Sequence, residues 1–302
     1  MSSTWDLPER GLCSWRVGNG DSTTIPIDID RGLVMQVDLN HVKAAEEEDD
    51  PRYPVIDRLI EVLPKLEDGK PRLAVLGITH HDEDPCCGFK RAVTEIKVEE
   101  LWLTLRSFVE AKNKEEFTEA GKDVYEETCR RRDAEIAAVA AGGRAAPGDR
   151  LRIIGYHDVL DDPDWTDFPT ELVTVPGNFV ADFDVEDVSN NVEFFVHTPF
   201  KDDHDGSRNS TSLGLHITLK NDDEQLRILL LGDLTYEEVE AFIEASQAEN
   251  EDRLEWDILL APHHGSRHAI FKPEGLKKLS DFVIAQSAQP EATDPKSRTR
   301  PG

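Results

Sequence analysis

The stretch "THHDEDPCCGF" (79–89) places two imidazoles, His80 and His81, and three carboxylates, Asp82, Glu83 and Asp84, directly behind the apolar run "LAVLGI". Groups of the same two kinds stand at equivalent places elsewhere. Asp38 follows "GLVMQV", His197 follows "VEFFV", Asp233 follows "RILLLG", and His263 and His264 follow "WDILLAP". Imidazole and carboxylate together make a ligand set for zinc, manganese or iron(II), with no thiolate required. A carboxylate bridging two such cations about 3.5–4 Å apart would generate hydroxide from water and clamp both sides of a phosphoryl centre. Taken singly, the first stretch is as well explained by an acidic loop with surface histidines, and "PHHGS" by a turn. Their joint occurrence in this order favours a shared site. Pro85 lies inside that site and has no side-chain lone pair to offer.

The elements that must position these groups are legible as short apolar runs. "CSWRV", "STTIPIDI", "GLVMQVDL", "RLAVLGI" and "EELWLTL" in the first third, and "EFFVHTPF", "SLGLHITL", "RILLLGDL" and "WDILLAP" in the last, read as strands. Those ahead of Asp38, His80, Asp233 and His263 are almost continuously apolar, the pattern of strands buried on both faces. A strand end can aim the next side chain into a cleft while the buried strand holds the backbone rigid, so five such ends can converge. Helical patterns lie between them at 53–66 and 236–249, and at "PEGLKKLSDF". Residues 107–142 read as a long polar helix or helix pair ending at "AAGGRAAPGD", and about 107–192 reads as an insertion into a domain spanning 1–285. Long loops of this kind carry function, so the insertion is expected over or beside the cleft. The polar, Pro-containing segment 286–302 reads as a disordered tail.

Bulk composition narrows the function classes. With 302 residues and 38% hydrophobic content the chain can bury a large α/β core without staples. Its four cysteines show neither a CxxC nor a regular spacing, which argues against a disulfide framework and for reduced thiols in a cytoplasmic protein. No apolar stretch approaches the roughly 20 residues that span a bilayer, so no membrane partner is expected. Sixty-two acidic residues face 34 basic ones, a formal charge of −28 that repels polyanions and argues against loose nucleic-acid binding. Metals in a site could still attract a phosphate locally.

Taken in order, "VGNGDSTTI", "VMQVDLN", "GITHHDEDPCCGF", "VHTPF", "RNSTSLGLHITL", "ILLLGDL" and "LAPHHGS" resemble the metallo-β-lactamase superfamily, specifically its ComEC/Rec2-like branch. The pairing of "GNGDS" with a distant "PHHGS" marks that branch. The resemblance implies an α/β (α+β) fold, a four-layer αββα sandwich with its site at one edge of two sheets. It further implies a divalent cofactor, zinc or manganese, as one or two ions. His80 and Asp82 would be the opening ligands of the family's HxHxDH motif and Asp84 its aspartate, which binds the second metal and holds the attacking water. Pro85 stands where the motif's last histidine belongs. His197 resembles the next ligand, Asp233 the bridging carboxylate, and His263 or His264 the last ligand. Asp38 would orient ligands through hydrogen bonds. Asn209 and Ser212 match an "N-x-S-L" segment near the cleft, and they and Ser266 are candidate substrate contacts, with turn hydrogen bonding the plainer alternative. The turn at Gly20-Asp21-Ser22 reads as structural. Cys86 and Cys87 read as buried thiols. His81, adjacent to His80 at a strand end, is expected to point the opposite way.

The function these readings imply is hydrolysis of a phosphoester through metal-bound hydroxide, on a small phosphorylated substrate or nucleic-acid end, with Asp84 and Asp233 as the catalytic carboxylates. Nucleotides and cyclic nucleotides are included among the substrates. The alternative is a catalytically degenerate scaffold or ligand-binding protein with at most one metal, supported by Pro85. Oligomeric state is not legible.

Overall fold

In the computed structural model, which describes residues 6–181, 191–201, 209–221, 224–266 and 269, two β-sheets lie face to face between helices. The first has seven strands in chain order: β1 (Cys13–Ser14), β2 (Thr23–Asp28), β3 (Leu33–Val37), β4 (Arg72–Ile78), β5 (Lys97–Leu103), β6 (Arg150–Ile154) and β7 (Val173–Thr174). β1 to β3 form an antiparallel meander, and every pairing from β3 to β7 is parallel. Parallel neighbours need a crossover, which here is helical. α1 (Val55–Val62) links β3 to β4, and α2 (Glu83–Cys86) with α3 (Phe89–Glu95) links β4 to β5. The link from β5 to β6 runs through α4 (Leu105–Lys114) and α5 (Glu119–Ala140). The second sheet comprises β8 (Val192–Thr198), β9 (Gly214–Asn221), β10 (Glu224–Leu230) and β11 (Ile258–Leu260), with α6 (Tyr236–Glu249) between its last two strands.

Strand alternation divides the apolar residues into three layers. Leu76, Ile78, Leu101 and Leu151 face Leu59, Phe89, Phe108 and Val124 on the helices. Val75 and Trp102, the neighbours of Leu76 and Leu101, face the other way with Ile25 and Met35, against Phe194, Val196, Leu215 and Ile217 of the second sheet. Leu229, Leu231 and Leu259 pack beneath Val239, Phe242 and Ile243 of α6. The order is helices, sheet, sheet, helix: the expected αββα sandwich.

Residues 107–192, read from sequence as an insertion, supply most of α4, all of α5 and two strands of the first sheet. α5 looks polar because its buried face carries paired charges. Arg131 donates to the carbonyls of Val98 (3.1 Å) and Arg150 (3.0 Å), and Glu135 accepts from the Ala145 and Leu151 amides at 2.9 and 3.1 Å. These bonds tie the helix to β5 and β6 where a hydrophobic stripe would otherwise do so. α3 had no distinct sequence signal, and the helix at "PEGLKKLSDF" and the 286–302 tail lie outside the described residues. Among the described residues no helix is long and apolar enough to cross a membrane, and the four cysteines are unbridged.

Candidate metal centre

The loops at one edge of the sandwich bring six of the seven sequence-predicted ligands together. β3 ends in a kink: Asp38 adopts φ +52°, its carbonyl held by the Gln36 side-chain amide at 2.6 Å. This turns the Asp38 carboxylate toward the end of β4, where its Oδ1 accepts the Thr79 amide (2.9 Å) and its Oδ2 the Thr79 hydroxyl (2.8 Å). Burial pushes the Asp38 carboxyl well above its ordinary range, and the two Thr79 bonds oppose that push. Thr79 Oγ1 also lies 3.0 Å from His80 Nδ1. Thr79 thus joins Asp38 to the Nδ1 side of the His80 ring and turns Nε2 to the opposite side.

That Nε2 is the informative atom. His80 is 1% exposed, and its Nε2 has no hydrogen-bond partner. It faces Asp82 Oδ2 at 3.7 Å and Asp233 Oδ2 at 3.8 Å, too far for a hydrogen bond. A buried imidazole nitrogen that faces two carboxylates at these distances leaves room for a cation between them. Two coordination bonds of about 2.0–2.2 Å can span such a gap. The donor set and its spacing therefore fit a divalent metal.

Asp233 follows β10 through Gly232, whose φ is +51° and whose added Cβ would meet Ser212 Cβ at 3.0 Å and Thr79 Cβ at 3.3 Å. Only glycine lets the chain pass there. The Asp233 amide donates to Ser212 Oγ at 3.1 Å, and two residues later Thr235 caps α6 in a capping box with Glu238. The Gly232 carbonyl in turn accepts the His263 amide at 2.8 Å, bringing in the turn that carries both histidines. His263 and His264 are both left-handed, with φ of +48° and +52°, a conformation that costs non-glycine residues about 1–3 kcal/mol each. His263 Nε2 lies 3.9 Å from Asp233 Oδ2. His264 Nε2 lies 3.2 Å from Asp84 Oδ2 and 3.5 Å from Asp233 Oδ2, and its Nδ1 is 3.4 Å from Asp21 Oδ1. Hydrogen bonding to Asp21, Asp233 and Asp84 pushes His264 up to about 12, with burial opposing. Burial raises the Asp233 carboxyl, but His264, His80 and His263 together outweigh it and hold the group below its ordinary range. A divalent cation could carry the same positive charge, with release of the ring proton.

Asp21 is the residue that sequence reasoning passed over as part of a structural turn. Asp21, Asp233 and His264 form a group whose ligand atoms lie within 4.8 Å of one another. Gly20, at φ +107°, lets the turn approach: a Cβ there would meet Asn40 Nδ2 at 2.0 Å and Asp84 Cβ at 3.0 Å. The two stretches paired in the sequence reading, "GNGDS" and "PHHGS", meet here in space.

His197 is a correction. Val192, Phe194 and Val196 of β8 face the sheet interface, so Phe195 and His197 face α6. The His197 ring packs 4.9 Å from Phe195 and 4.7 Å from Phe242, with Nδ1 3.1 Å from Ser246 Oγ. The other positions fall into place around the cluster. His81 points away from His80 and packs edge-on to Phe108 and Phe117. Pro85 is buried in the first turn of α2, where a missing N–H costs nothing, and its carbonyl accepts the Leu39 amide at 3.1 Å. Cys86 Sγ is turned to the His80 carbonyl, and burial raises its pKa. Ser212, offered as a substrate contact, is instead buried and holds the Asp233 amide. The Ser266 amide closes the histidine turn on the His263 carbonyl at 2.8 Å. Asn209 lines a cleft of about 560 Å³ that opens beside Asp82 and Asp84. A second cluster, His41, Glu46 and Asp57, already holds a cation: Arg91 donates to Glu46 at 2.9 Å and to Asp57 at 2.6 Å.

No protein-family model matches the sequence, and no curated protein matches it. Among solved structures the chain is similar to a subclass B3 metallo-β-lactamase of Bradyrhizobium japonicum, with 12% identity over 94% of this chain and 93% of that one and a TM-score of 0.42. It is also similar to a metallo-β-lactamase from Elizabethkingia meningoseptica, with 13% identity over 95% of this chain and 89% of that one and a TM-score of 0.38. The fold assignment rests on the layer order described above.

Proposed function

We propose that the chain is a metal-dependent hydrolase of phosphoesters, related to the ComEC/Rec2-like branch and working in the cytoplasm. The observation that carries this reading is the buried, unpartnered His80 Nε2 facing Asp82 and Asp233. The branch is supported by the 3.4 Å approach of Asp21 to His264, which joins its two signature stretches. One metal position would be held by His80, Asp82, Asp233 and His263, and the other by Asp21, Asp84, Asp233 and His264. When bound, zinc or manganese would supply Lewis acidity and lower the pKa of water toward neutrality. Asp84, at the rim of the cleft, would orient the incoming water. Asp233, held below its ordinary range by three histidines, would serve both positions. Asp38 and Thr79 hold the His80 ring in one orientation.

Elemental mass spectrometry on protein purified without chelators, followed by a bis(p-nitrophenyl) phosphate assay, tests this. Bound metal that falls in His80→Ala, together with cleavage abolished in Asp233→Ala, is the expected result. Protein that binds no metal and cleaves no phosphodiester would refute it. Pro85 favours a second reading, a binding scaffold holding at most one cation: it is buried in α2, at the position where the resemblance would have a ligand. One equivalent of metal without hydrolysis would select that reading.

A further inference from the structure

His197, turned away from the metal cluster, borders a separate cavity of about 130 Å³ between β8 and α6. Four aromatic side chains line it: Phe195 of β8, Phe242 of α6, and Tyr156 and Phe200 from adjoining loops. None of its lining residues belongs to the candidate metal centre. His197 is 6% exposed, and its two ring nitrogens are unequally served. Nδ1 lies 3.1 Å from Ser246 Oγ, whereas Nε2 is buried and has no hydrogen-bond partner. The Arg253 carbonyl is near enough to favour a proton on the ring but is not placed to bond Nε2. Buried polar groups in folded proteins nearly always have a partner. An aromatic cavity beside one that lacks it has both the shape and the chemistry of a ligand site.

We infer that this cavity binds a small aromatic alcohol, a phenol, with its ring among the four aromatic side chains and its hydroxyl on His197 Nε2. The size is suitable, since an apolar cavity of about 150 Å³ takes up benzene. Aromatic walls favour an aromatic guest through offset and edge-to-face contacts. The hydroxyl suits Nε2 in either tautomer, because it donates to a bare nitrogen and accepts from a protonated one. Charge disfavours the ionic alternatives. Burial, with His216 adding to it, pushes the His197 pKa down to about 3, so the neutral ring offers an anion no attraction. Glu249, exposed at the rim and without an ion pair among the described residues, repels one. A cation would meet Arg253, whose guanidinium lies 5.8 Å from the centre of the Phe195 ring. Water alone would satisfy Nε2 but leave the aromatic walls hydrated.

Phenol and toluene, alike in shape and differing in the hydroxyl, test this in NMR titrations of the full chain. Phenol is expected to bind saturably and to shift the amide signals of Phe195, Phe242 and Ser246. It should bind about two- to tenfold more tightly than toluene, the range for one hydrogen bond. His197→Leu should abolish that preference, and Ala245→Trp, in the cavity wall, should block both ligands. The comparison of the two ligands needs only the unmodified protein, so it decides the matter even where a variant fails to fold. Binding of neither ligand, or equal or tighter binding of toluene, would overturn the inference. So would phenol binding that is lost on adding a chelator or in Asp233→Ala, since the ligand would then sit at the metal centre.

Discussion

Replacing Thr79 by valine keeps the side chain's shape and removes only its hydroxyl, which joins Asp38 to His80. The bond to the Asp38 carboxylate is charge-assisted and buried, worth about 1.5–3 kcal/mol, and the contact with His80 Nδ1 is worth about 0.5–1.5 kcal/mol. Thr79 is 2% exposed, so water cannot replace either partner at once. Asp38 would retain the Thr79 amide bond at 2.9 Å, which limits the damage. A stability loss of about 2–4 kcal/mol in urea unfolding is expected. Metal affinity, read by competition with a chromophoric chelator, should fall about 10–100-fold, because the His80 ring is no longer fixed with its Nε2 lone pair toward Asp82 and Asp233. Thr79→Ser is the control: it keeps the hydroxyl and loses one buried methyl, worth about 0.8 kcal/mol. If serine and valine weaken metal binding equally, the hydroxyl does not orient His80 and the reasoning fails.

Two other substitutions probe the surroundings. Gly20→Ala sets a Cβ 2.0 Å from Asn40 Nδ2 at φ +107°, and should cost about 1–3 kcal/mol and lower metal affinity by withdrawing Asp21 from His264. Unchanged affinity in a metal titration of this variant would show that Asp21 is no ligand. The pH prediction concerns His197, which burial, with the nearby His216 adding to it, pushes down from 6.5 to about 3. The folded state thus binds the proton more weakly than the unfolded chain, so stability is full above pH 6.5 and is lost as pH falls toward 3. Between pH 6.5 and 5 the loss is about 2 kcal/mol for this group. Urea unfolding of His197→Leu at pH 7 and pH 5 should show a correspondingly smaller difference than the unmodified protein, and an equal difference would refute the assignment of a buried neutral ring.

Where sequence and structure agree, one-dimensional information was enough. The span of α6, Tyr236–Glu249, is the one read from its helical pattern, and "RLAVLGI" is a strand covered on both faces because nearly every residue in it is apolar. The direction of His80 away from His81 follows from alternation at a strand end. The failures involve facing and pairing that a single strand does not encode. His197 lies near the end of β8 just as His80 follows β4, but the register of β8 in its sheet turns it to α6. Asp21 was passed over because its partner lies more than 200 residues away, and a glycine-bounded turn looks the same with or without a histidine facing it. α5 lies within the stretch read as a long polar helix, and it looks polar because its docking face is made of Arg131 and Glu135, whose partners are backbone groups of β5 and β6.

Backbone strain identifies the same edge of the molecule without reference to side-chain chemistry. Among the described residues, positive φ outside glycine occurs at Asp38, Asn40, Glu115, His263 and His264. Glu115 closes α4, where a left-handed residue is ordinary. The other four belong to the loops that carry the cluster: Asp38 anchors Thr79, Asn40 touches the Asp21 turn, and the two histidines face Asp233. Each such residue costs free energy that persists only where surrounding bonds over-determine it. Gln36 on the Asp38 carbonyl, Gly232 on the His263 amide and the Ser266 amide on the His263 carbonyl are those bonds. An acidic surface loop with incidental histidines would have no reason to maintain them. The concentration of strain around His80, Asp233 and His264 therefore supports a pre-organised site, independently of any ligand count.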